Sequence, residues 1–277
     1  MQIKEFLDVA KQRFKKSSTP YLDAEVLLAH TLSVSRVYLH AHPEKLLSDK
    51  QKQQFNQLIV RRERGEPIAY IVGHQEFWSL DLLVTPDVLI PRPETELLVE
   101  TALTLLPVKT KQVVADLGTG SGAIALAIAS ERTIWSIVAT DSSESAIRLA
   151  ATNAQRLHIS NIEFFMGDWC LALPDCLFDL IVSNPPYIAE NDSHLQQGDV
   201  AFEPVCALVG GTEGIELINK IAKQAQKFLK PGGFLLFEHG CDQGLQVKEI
   251  LMDLGYKNVT MVKDVSGHER ITYGGAI

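Results

Sequence analysis

The segment from Val113 to Ala127 constrains the fold of this chain more than any other. It begins with a short apolar run, continues through glycines at positions 118, 120 and 122, and ends in a stretch rich in alanine and leucine. This order predicts a buried strand, a tight turn and a helix. Glycine tolerates positive φ and lets a bound molecule approach the backbone closely. We therefore expect a ligand to bind at this turn.

Three further apolar runs predict buried strands, and each is followed at once by polar or aromatic residues. The strands cover Trp135–Thr140, Ile162–Met166 and Phe178–Ser183, and the residues that follow them are Asp141, Gly167-Asp168-Trp169 and Asn184. Helical or loop crossovers between these runs favour a doubly wound, mostly parallel sheet, which is an α/β fold. Such sheets bind ligands in a crevice at the carboxyl ends of their strands. The sequence therefore predicts that these residues meet in one crevice.

The rest of the large domain continues the alternation of helix and strand. Gly214–Leu229 predicts a helix that is stopped by Lys230-Pro231-Gly232-Gly233. Phe234–Glu238 predicts the next strand, and Gln243–Leu254 predicts the next helix. The apolar runs Val259–Val262 and Ile271–Tyr273 predict a closing antiparallel hairpin.

The first part of the chain has a different periodicity. Apolar residues recur at helical spacing from Ile3 to Phe14, and again in a stretch that starts at Ser48 and ends at Gly65, with no strand before about Tyr70. We expect a small all-helical domain over residues 1–72. Two short apolar runs within residues 76–84 predict a β-hairpin, so that residues 73–92 form a linker and residues 93–277 form the large domain.

Glycine turns of this kind bind two classes of cofactor, and charge helps to choose between them. The spacing Gly118-x-Gly120-x-x-Ala123 also fits a relaxed dinucleotide fingerprint. Asp116, however, ends the strand beside the turn. A carboxylate there repels a pyrophosphate and attracts the ammonium and sulfonium groups of S-adenosylmethionine. The pattern favours the methyl donor.

The neighbouring strand ends offer groups for the adenosine half of that cofactor. Asp141 can accept both ribose hydroxyls, although it also fits an N-cap of the following helix. Asp168 offers a polar partner for the adenine amine and Trp169 an indole plane for its ring, unless both only complete a turn and the core. The candidate cofactor-binding residues are Asp116, Gly118, Thr119, Gly120, Ser121, Gly122, Asp141, Asp168, Trp169 and Asn184.

The motif Asn184-Pro185-Pro186-Tyr187 predicts a second binding site beside the cofactor. Proline lacks an N–H group and holds the residue before it in extended geometry, so the oxygens of Asn184 and Pro185 can accept both hydrogens of a planar nitrogen group. Tyr187 adds a flat face. The alternative is that the prolines only end a strand. The candidate catalytic residues are Asn184, Pro185 and Tyr187, and Pro186 joins them as a candidate substrate-binding residue.

The charge distribution argues against a nucleic-acid duplex as the partner. The formal net charge is −8, and residues 1–90 contain 12 Lys/Arg against 11 Asp/Glu, which leaves 14 against 23 for the rest. The compact basic cluster Arg61-Arg62-Glu63-Arg64 is small. The 4 cysteines lack metal-binding spacing, so we expect free thiols and no metal. Without a signal peptide pattern or a membrane-length apolar run, we expect a cytoplasmic protein with no membrane contact.

Together, the segments Asp116–Gly122 and Asn184–Ile188 resemble the motifs of Rossmann-like methyltransferases that modify planar nitrogens. The finer resemblance is to the HemK/PrmC protein methyltransferases, and it extends over nearly the whole chain. Further matching positions are Pro91-Arg92-Pro93-Glu94-Thr95-Glu96, Phe202-Glu203-Pro204, Gly210-Gly211 with Gly214, Glu238-His239-Gly240 with Gln243-Gly244, and Asp264, Gly267 and Arg270. Glu213 departs from the family pattern, which often has Asp before the glycine, and this conservative change puts little in doubt.

The resemblance implies a Rossmann-like enzyme that uses S-adenosylmethionine to methylate the glutamine of the Gly-Gly-Gln motif in class-I peptide chain release factors, leaving S-adenosylhomocysteine. It implies a protein substrate and no direct nucleic-acid binding, and we expect a monomer. Two alternatives remain from the residues. One is a methyltransferase for an exocyclic amine of DNA adenine or rRNA guanine, because Tyr187 packs equally well on a base. The other is a nucleotide-binding module without catalysis, which leaves the acceptors at Asn184 unexplained.

Overall fold

The computed structural model describes residues 2–277. Within that range the chain forms two compact units. The first, the helical unit, contains residues 2–74 and Gln196–Phe202, and the second, the sheet unit, contains Gln75–Leu195 and Glu203–Ile277. The sequence pattern placed the boundary after residue 72 and did not indicate that Gln196–Phe202 belongs with the helical unit.

The helices and strands follow one another in the order expected for a helical segment followed by an α/β segment. The helices are α1 (Ile3–Arg13), α2 (Pro20–Leu32), α3 (Arg36–Ala41), α4 (Asp49–Glu63), α5 (Ile68–Val72), α6 (Glu96–Leu105), α7 (Ala123–Glu131), α8 (Glu144–Arg156), α9 (Glu216–Ala225) and α10 (Gly244–Asp253). No helix within residues 2–277 has both the length and the apolar character needed to cross a membrane.

The strands are short and mostly lie in the second half of the chain. They are β1 (His74–Phe77), β2 (Leu80–Leu83), β3 (Val113–Leu117), β4 (Ser136–Asp141), β5 (Ile162–Met166), β6 (Phe178–Ser183), β7 (Ile188–Ala189), β8 (Val209–Gly211), β9 (Leu229–Glu238), β10 (Lys257–Lys263) and β11 (Glu269–Gly275). β1 and β2 pair with each other, which confirms the hairpin predicted in the linker.

The helical unit confirms the predicted helices at the start of the chain. The rings of Phe6 and Phe55 meet edge to face in its core, with centroids 6.0 Å apart. Ser48 caps α4 as expected, because its side chain accepts a hydrogen bond from the Gln51 N–H at 3.3 Å. No strand of the described residues precedes Tyr70, as expected, and that residue lies in α5, which Gly73 ends in the left-handed conformation.

The segment Gln196–Phe202 is held in the helical unit by an arginine. The Nε of Arg62 donates to Asp23 at 2.7 Å, and its Nη1 donates to Asp199 at 3.3 Å. A Cβ on Gly65 would lie 3.3 Å from the ring of Phe202. One side chain therefore joins parts of the unit that are far apart in the sequence.

A seven-stranded sheet organises the sheet unit, in the order β10-β11-β9-β6-β3-β4-β5. The five strands from β5 to β9 in this order are parallel, and β11 runs antiparallel to both β9 and β10. The doubly wound sheet and its closing hairpin are confirmed. Strand pairing aligns Leu117 with Thr140 on one side and with Ser183 on the other. The residues after these three therefore emerge together at one edge.

Helices cover both faces of the sheet. Because alternate residues of a strand point to opposite faces, Ile137 and Ala139 join a buried cluster with α6 and α7, whereas Val138 joins a cluster with α9 and α10. Strands covered on both sides need apolar residues at successive positions, which accounts for their apolar runs in the sequence.

The predicted boundary between helix α9 and strand β9 is wrong. Lys230-Pro231-Gly232-Gly233 was expected to separate a helix from a strand, but α9 ends at Ala225 and the four residues lie inside β9. The register with β6 shifts there, from Phe178↔Leu229 to Leu180↔Phe234. A bulge in a strand accepts proline and glycine as readily as a helix end does, so composition did not separate the two.

The fully buried side chain of Asn153 joins α8 to two other segments. Its Nδ2 donates to the carbonyl of Leu83 at 3.0 Å and to that of Ser121 at 2.9 Å, while its Oδ1 accepts from the Leu83 N–H at 2.8 Å. Asn153 thus ties the linker hairpin and the glycine turn to one helix.

We expect Asn153→Ala to lower the free energy of unfolding by roughly 2–4 kcal/mol, because buried backbone groups lose their partners. Thr152→Ala, at the exposed neighbouring position, is the matched control and should change it by about 0.5 kcal/mol or less. Urea denaturation of both variants measures the difference, and equal losses would contradict the role given to Asn153.

Candidate active site

A cleft opens at the carboxyl edge of the parallel strands. It encloses about 750 Å³, including its open mouth. Its walls contain residues from all four predicted strand ends: Gly118, Gly120, Asp141, Asp168, Trp169, Asn184 and Pro186. The structure thus brings these predicted site residues together. Asp116, Thr119, Ser121, Gly122, Pro185 and Tyr187 do not line the cleft.

The glycine turn forms the floor on one side of the cleft. Gly118 and Gly120 have φ of 74° and 56°, which few other residues adopt. A Cβ on Gly118 would lie 3.0 Å from the Trp169 ring, whereas one on Gly120 would meet nothing within 4 Å. Gly118 lets the indole pack on the backbone, and Gly120 leaves the backbone open to a ligand.

Asp116 lies behind the glycine turn and forms hydrogen bonds with residues of the turn and of α7. Its carboxylate is fully buried, and Oδ2 accepts hydrogen bonds from the Thr119 hydroxyl at 2.7 Å and from the Ala125 N–H at 3.2 Å. Burial raises the pKa of Asp116 to about 7. The carboxylate thus lies behind the turn, where it positions the backbone instead of forming the wall.

Asp141 lies on the cleft wall and bonds to the backbone on both sides. Its Oδ2 accepts from the Gly120 N–H and its Oδ1 from the Ser143 N–H, both at 2.9 Å. The N-cap of α8 is Ser143, whose side chain accepts from the Ala146 N–H, so the N-cap alternative for Asp141 is wrong. Each oxygen keeps a second lone pair that a ligand hydroxyl can use.

Asp168 and Trp169 form the wall next to β5. The Asp168 carboxylate accepts two hydrogen bonds from Lys220 Nζ, at 2.9 and 2.8 Å. Trp169 has a φ of 49°, and its ring packs against Gly118 as described. The indole is therefore fixed where a flat ring in the cleft can pack beside it.

Two oxygens of the Asn-Pro-Pro-Tyr motif accept no hydrogen bond from the described residues. The Nδ2 of Asn184 donates to the Thr95 hydroxyl at 3.3 Å. No residue of the described range donates a hydrogen bond to Asn184 Oδ1 or to the Pro185 carbonyl. Of these two unused acceptors, Asn184 Oδ1 belongs to a residue on the cleft wall, whereas Pro185 is buried next to it.

Gln243, Gly210 and Gly214 contact the backbone of the Asn-Pro-Pro-Tyr motif. Gln243 Nε2 donates to the Tyr187 carbonyl at 2.9 Å. Cβ atoms on Gly210 and Gly214 would overlap the carbonyls of Pro186 and Tyr187 respectively. The motif thus packs directly on glycine backbone, and burial raises the pKa of the Tyr187 hydroxyl, so its ring stays neutral.

Three groups of lining residues were not predicted from the sequence. They are Asp87-Val88-Leu89, Ser142-Ser143 with Ala146, and Cys206-Ala207, whereas Gly167 lines the cleft as expected. Ser142 and Ser143 follow Asp141 directly, and their position after a strand was an available signal. Ala146 lies in the first turn of α8, and segments 87–89 and 206–207 reach the cleft on loops. Glu203 brings these loops together, since it accepts from the Ile90 N–H at 3.1 Å and from Arg92 at 2.5 Å.

The residues of the cleft fit an adenosine-containing sulfonium better than a metal. Gly120 leaves space, Asp141 has free lone pairs for hydroxyls, and Trp169 offers a flat ring face. Within residues 2–277 no group of three or more His, Cys, Asp or Glu side chains could hold a metal ion.

Comparisons with known proteins agree with this arrangement. The family model described as the PrmC N-terminal domain matches residues 5–73, and the one described as the methyltransferase small domain matches residues 93–203. A crystal structure of a methyltransferase from Pyrococcus furiosus has a TM-score of 0.56 at 22% identity, covering 79% of this chain and 98% of that chain. The fold and the matched domain define a methyltransferase.

Relatives with high sequence identity show which kind of methyltransferase this chain is. The release factor glutamine methyltransferase of Shewanella oneidensis is 50% identical over 258 residues, which are 93% of this chain and 90% of the relative. That of Escherichia coli K12 is 47% identical over 274 residues, 99% of each chain. The chain belongs to the family of release factor glutamine methyltransferases, which confirms the resemblance drawn from its motifs.

The contact between Gly214 and Tyr187 predicts that Gly214→Ala displaces the Asn-Pro-Pro-Tyr motif. Because the added methyl group would push the Tyr187 carbonyl away, the displaced motif should lower kcat for methyl transfer by roughly 10- to 100-fold. Gly267→Ala is the matched control, because Gly267 has a similar φ, 86° against 82°, and a Cβ there would meet nothing within 4 Å. Steady-state kinetics and melting temperatures of both variants test this, and equal losses of kcat would contradict it.

Proposed function

We propose that this protein transfers the methyl group of S-adenosylmethionine to the side-chain amide nitrogen of the glutamine in the Gly-Gly-Gln motif of class-I peptide chain release factors. The observation that carries the proposal is the pair of unused acceptors, Asn184 Oδ1 and the Pro185 carbonyl, beside the open glycine turn. Membership of the release factor glutamine methyltransferase family supports the same reaction.

We assign the cofactor to the cleft between the glycine turn and Trp169. Asp141 would accept the ribose hydroxyls, Trp169 would pack beside the adenine, and the backbone at Gly120 would lie close to the methionine half. S-adenosylmethionine supplies an electrophilic methyl group on a sulfonium sulfur. The remaining chemistry belongs to the residues of the chain.

The task of those residues is to orient a weak nucleophile. An amide nitrogen is poorly nucleophilic because its lone pair is delocalised into the carbonyl. If its two hydrogens bond to Asn184 Oδ1 and the Pro185 carbonyl, the nitrogen gains electron density and its direction is fixed. The same oxygens stabilise the positive charge that develops during transfer. The proton leaves afterwards, so no strong base is needed.

Charge favours a protein substrate over a nucleic acid. Residues 91–277 carry 23 Asp/Glu against 14 Lys/Arg. A backbone of phosphates would be repelled by such a surface unless a basic track crossed it. The test is to incubate the protein with labelled S-adenosylmethionine and, separately, with release factor, rRNA and DNA, and to locate the label by mass spectrometry. Label on rRNA or DNA but not on the release factor glutamine would refute the proposal.

We predict that Asn184→Ala removes turnover while leaving cofactor binding largely intact. Loss of one of two acceptors should lower kcat by roughly 100-fold or more, because orientation and charge stabilisation are both reduced. Binding of S-adenosylmethionine, measured by calorimetry, should weaken by about threefold at most. Asn191→Ala, an exposed position on the following loop, is the control. Equal loss of binding and turnover in a folded variant would count against the role of Asn184.

We further assign residues 1–72 as a substrate-docking domain, residues 73–92 as a hairpin linker and residues 93–277 as the methyltransferase domain. A single amide supplies too little surface to discriminate between proteins, so a docking surface outside the cleft is required. The match of residues 5–73 to a domain model of their own supports this division.

Removal of residues 1–72 should therefore raise KM for whole release factor by roughly 10-fold or more, because docking contacts are lost. Turnover of a short Gly-Gly-Gln peptide, which has nothing to dock, should change far less. Circular dichroism checks that the truncated protein is folded. A truncated protein that methylates whole release factor at full efficiency would refute the assignment.

A further inference from the structure

The side chain of Asn184 has two ends of nearly equal size, and only one suits the proposed reaction. A substrate amide offers N–H hydrogens, so Asn184 must turn its oxygen to the cleft and keep its nitrogen away. The two ends of a primary amide differ only in the hydrogen bonds that each can make. Neighbouring side chains must therefore set the orientation.

We propose that Thr95 and Glu238 are positioning residues that hold the Asn184 amide with its oxygen facing the cleft. The inference rests on the proposed function. Asn184 Nδ2 lies 3.3 Å from the Thr95 hydroxyl, and the side chains of Thr95 and Asn184 both lower the pKa of Glu238, which places them beside its carboxylate. Thr95 is 4% exposed and Glu238 3% exposed, so water does not compete for these bonds.

The direction of these hydrogen bonds follows from the charge of Glu238. A carboxylate only accepts, and a hydroxyl has a single hydrogen. When the Thr95 hydrogen points to Glu238, the Thr95 oxygen is left as an acceptor. It can then bond to the nitrogen of Asn184 and not to its oxygen. The charge on Glu238 thus selects one of the two amide orientations.

Backbone geometry explains why these side chains meet. Glu238 is the last residue of β9, and Phe237 before it pairs with Ser183, so Glu238 and Asn184 follow a matched pair of residues. Thr95 ends the short turn Pro93–Thr95 that precedes α6. Glu238 Oε2 is buried and has no hydrogen-bond partner within the described range.

The environment of Glu238 makes the orientation sensitive to pH. Burial raises the pKa of Glu238 to about 7, Arg270 opposes this rise, and Glu94 adds to it. Tyr187 also faces Glu238, but its own pKa is raised and it stays neutral. Above pH 7 Glu238 only accepts, and the orientation is held. As the pH falls through 7, protonated Glu238 can donate to Thr95 and the selection is lost.

The first experiment does not depend on activity. The side-chain amide of Asn184 is observed by NMR in protein with 15N-labelled asparagine, and its signals are assigned by their absence in Asn184→Asp. We expect these signals to shift between pH 6 and pH 8 in the wild-type protein, with a midpoint of about 7, and to stop titrating in Glu238→Gln. Signals that respond to neither Glu238→Gln nor Thr95→Val would overturn the proposal.

Kinetics supply the second experiment. Thr95→Val should lower kcat by roughly 10- to 100-fold without weakening the binding of S-adenosylmethionine, and Thr95→Ser, which keeps the hydroxyl, should restore kcat to within about threefold. Thr101→Val removes a hydroxyl from α6 outside the site and is the control. A Thr95→Val variant with normal kcat, or with a lowered kcat that Thr95→Ser does not restore, would overturn the proposal.

The two experiments separate this inference from the proposed function. If wild-type protein fails to methylate release factor, the proposed function is wrong, whereas the NMR titration still reports whether Thr95 and Glu238 orient Asn184. If wild-type protein is active and the NMR signals of Asn184 change in neither Glu238→Gln nor Thr95→Val, only the positioning role is wrong.

Discussion

The site depends above all on the register of the parallel strands. Backbone hydrogen bonds align Leu117 with Thr140 and with Ser183, so the three residues that follow them appear at one edge. The Ser183 hydroxyl adds a bond of 2.7 Å to the Leu117 carbonyl. Because side chains alternate between faces, a slip by one residue would move every functional side chain away from the cleft. Main-chain hydrogen bonds between the strands therefore fix the positions of the residues in the cleft.

Buried polar side chains hold the main chain around the cleft in place. Asn153 and Gln243 bond to backbone groups of the glycine turn, the hairpin or the Asn-Pro-Pro-Tyr motif, and Asp116 accepts from the Thr119 hydroxyl of the turn and from the Ala125 N–H of α7. Each such group is costly to bury without partners. Asn184 Oδ1 and the Pro185 carbonyl, in contrast, accept no hydrogen bond from the described residues, and in the proposed function they are the acceptors for the substrate amide.

Much of the fold and part of the site could be predicted because local sequence decided them. β5 and β6 have the predicted bounds, since their apolar runs are closed on both sides by polar or turn residues. Gly120, Asp141, Trp169 and Asn184 line the cleft as expected, because each comes shortly after a strand and register fixes its position.

The remainder depends on contacts between distant residues. Segments 87–89 and 206–207 reach the cleft on loops that Glu203 holds through Ile90 and Arg92, and no local pattern encodes that bond. Asp116 was expected at the wall because it ends a strand. It faces inward because its carboxylate bonds to Thr119 and Ala125 instead.

The helical unit is discontinuous in sequence, because Gln196–Phe202 belongs to it and the residues on either side do not. Arg62 bonds to Asp199 across this interruption. Recombination between homologues that exchanged the amino-terminal segment alone would combine an arginine from one lineage with a loop from another. A chimera that exchanges both stretches together keeps the arginine and the aspartate of this bond from one parent.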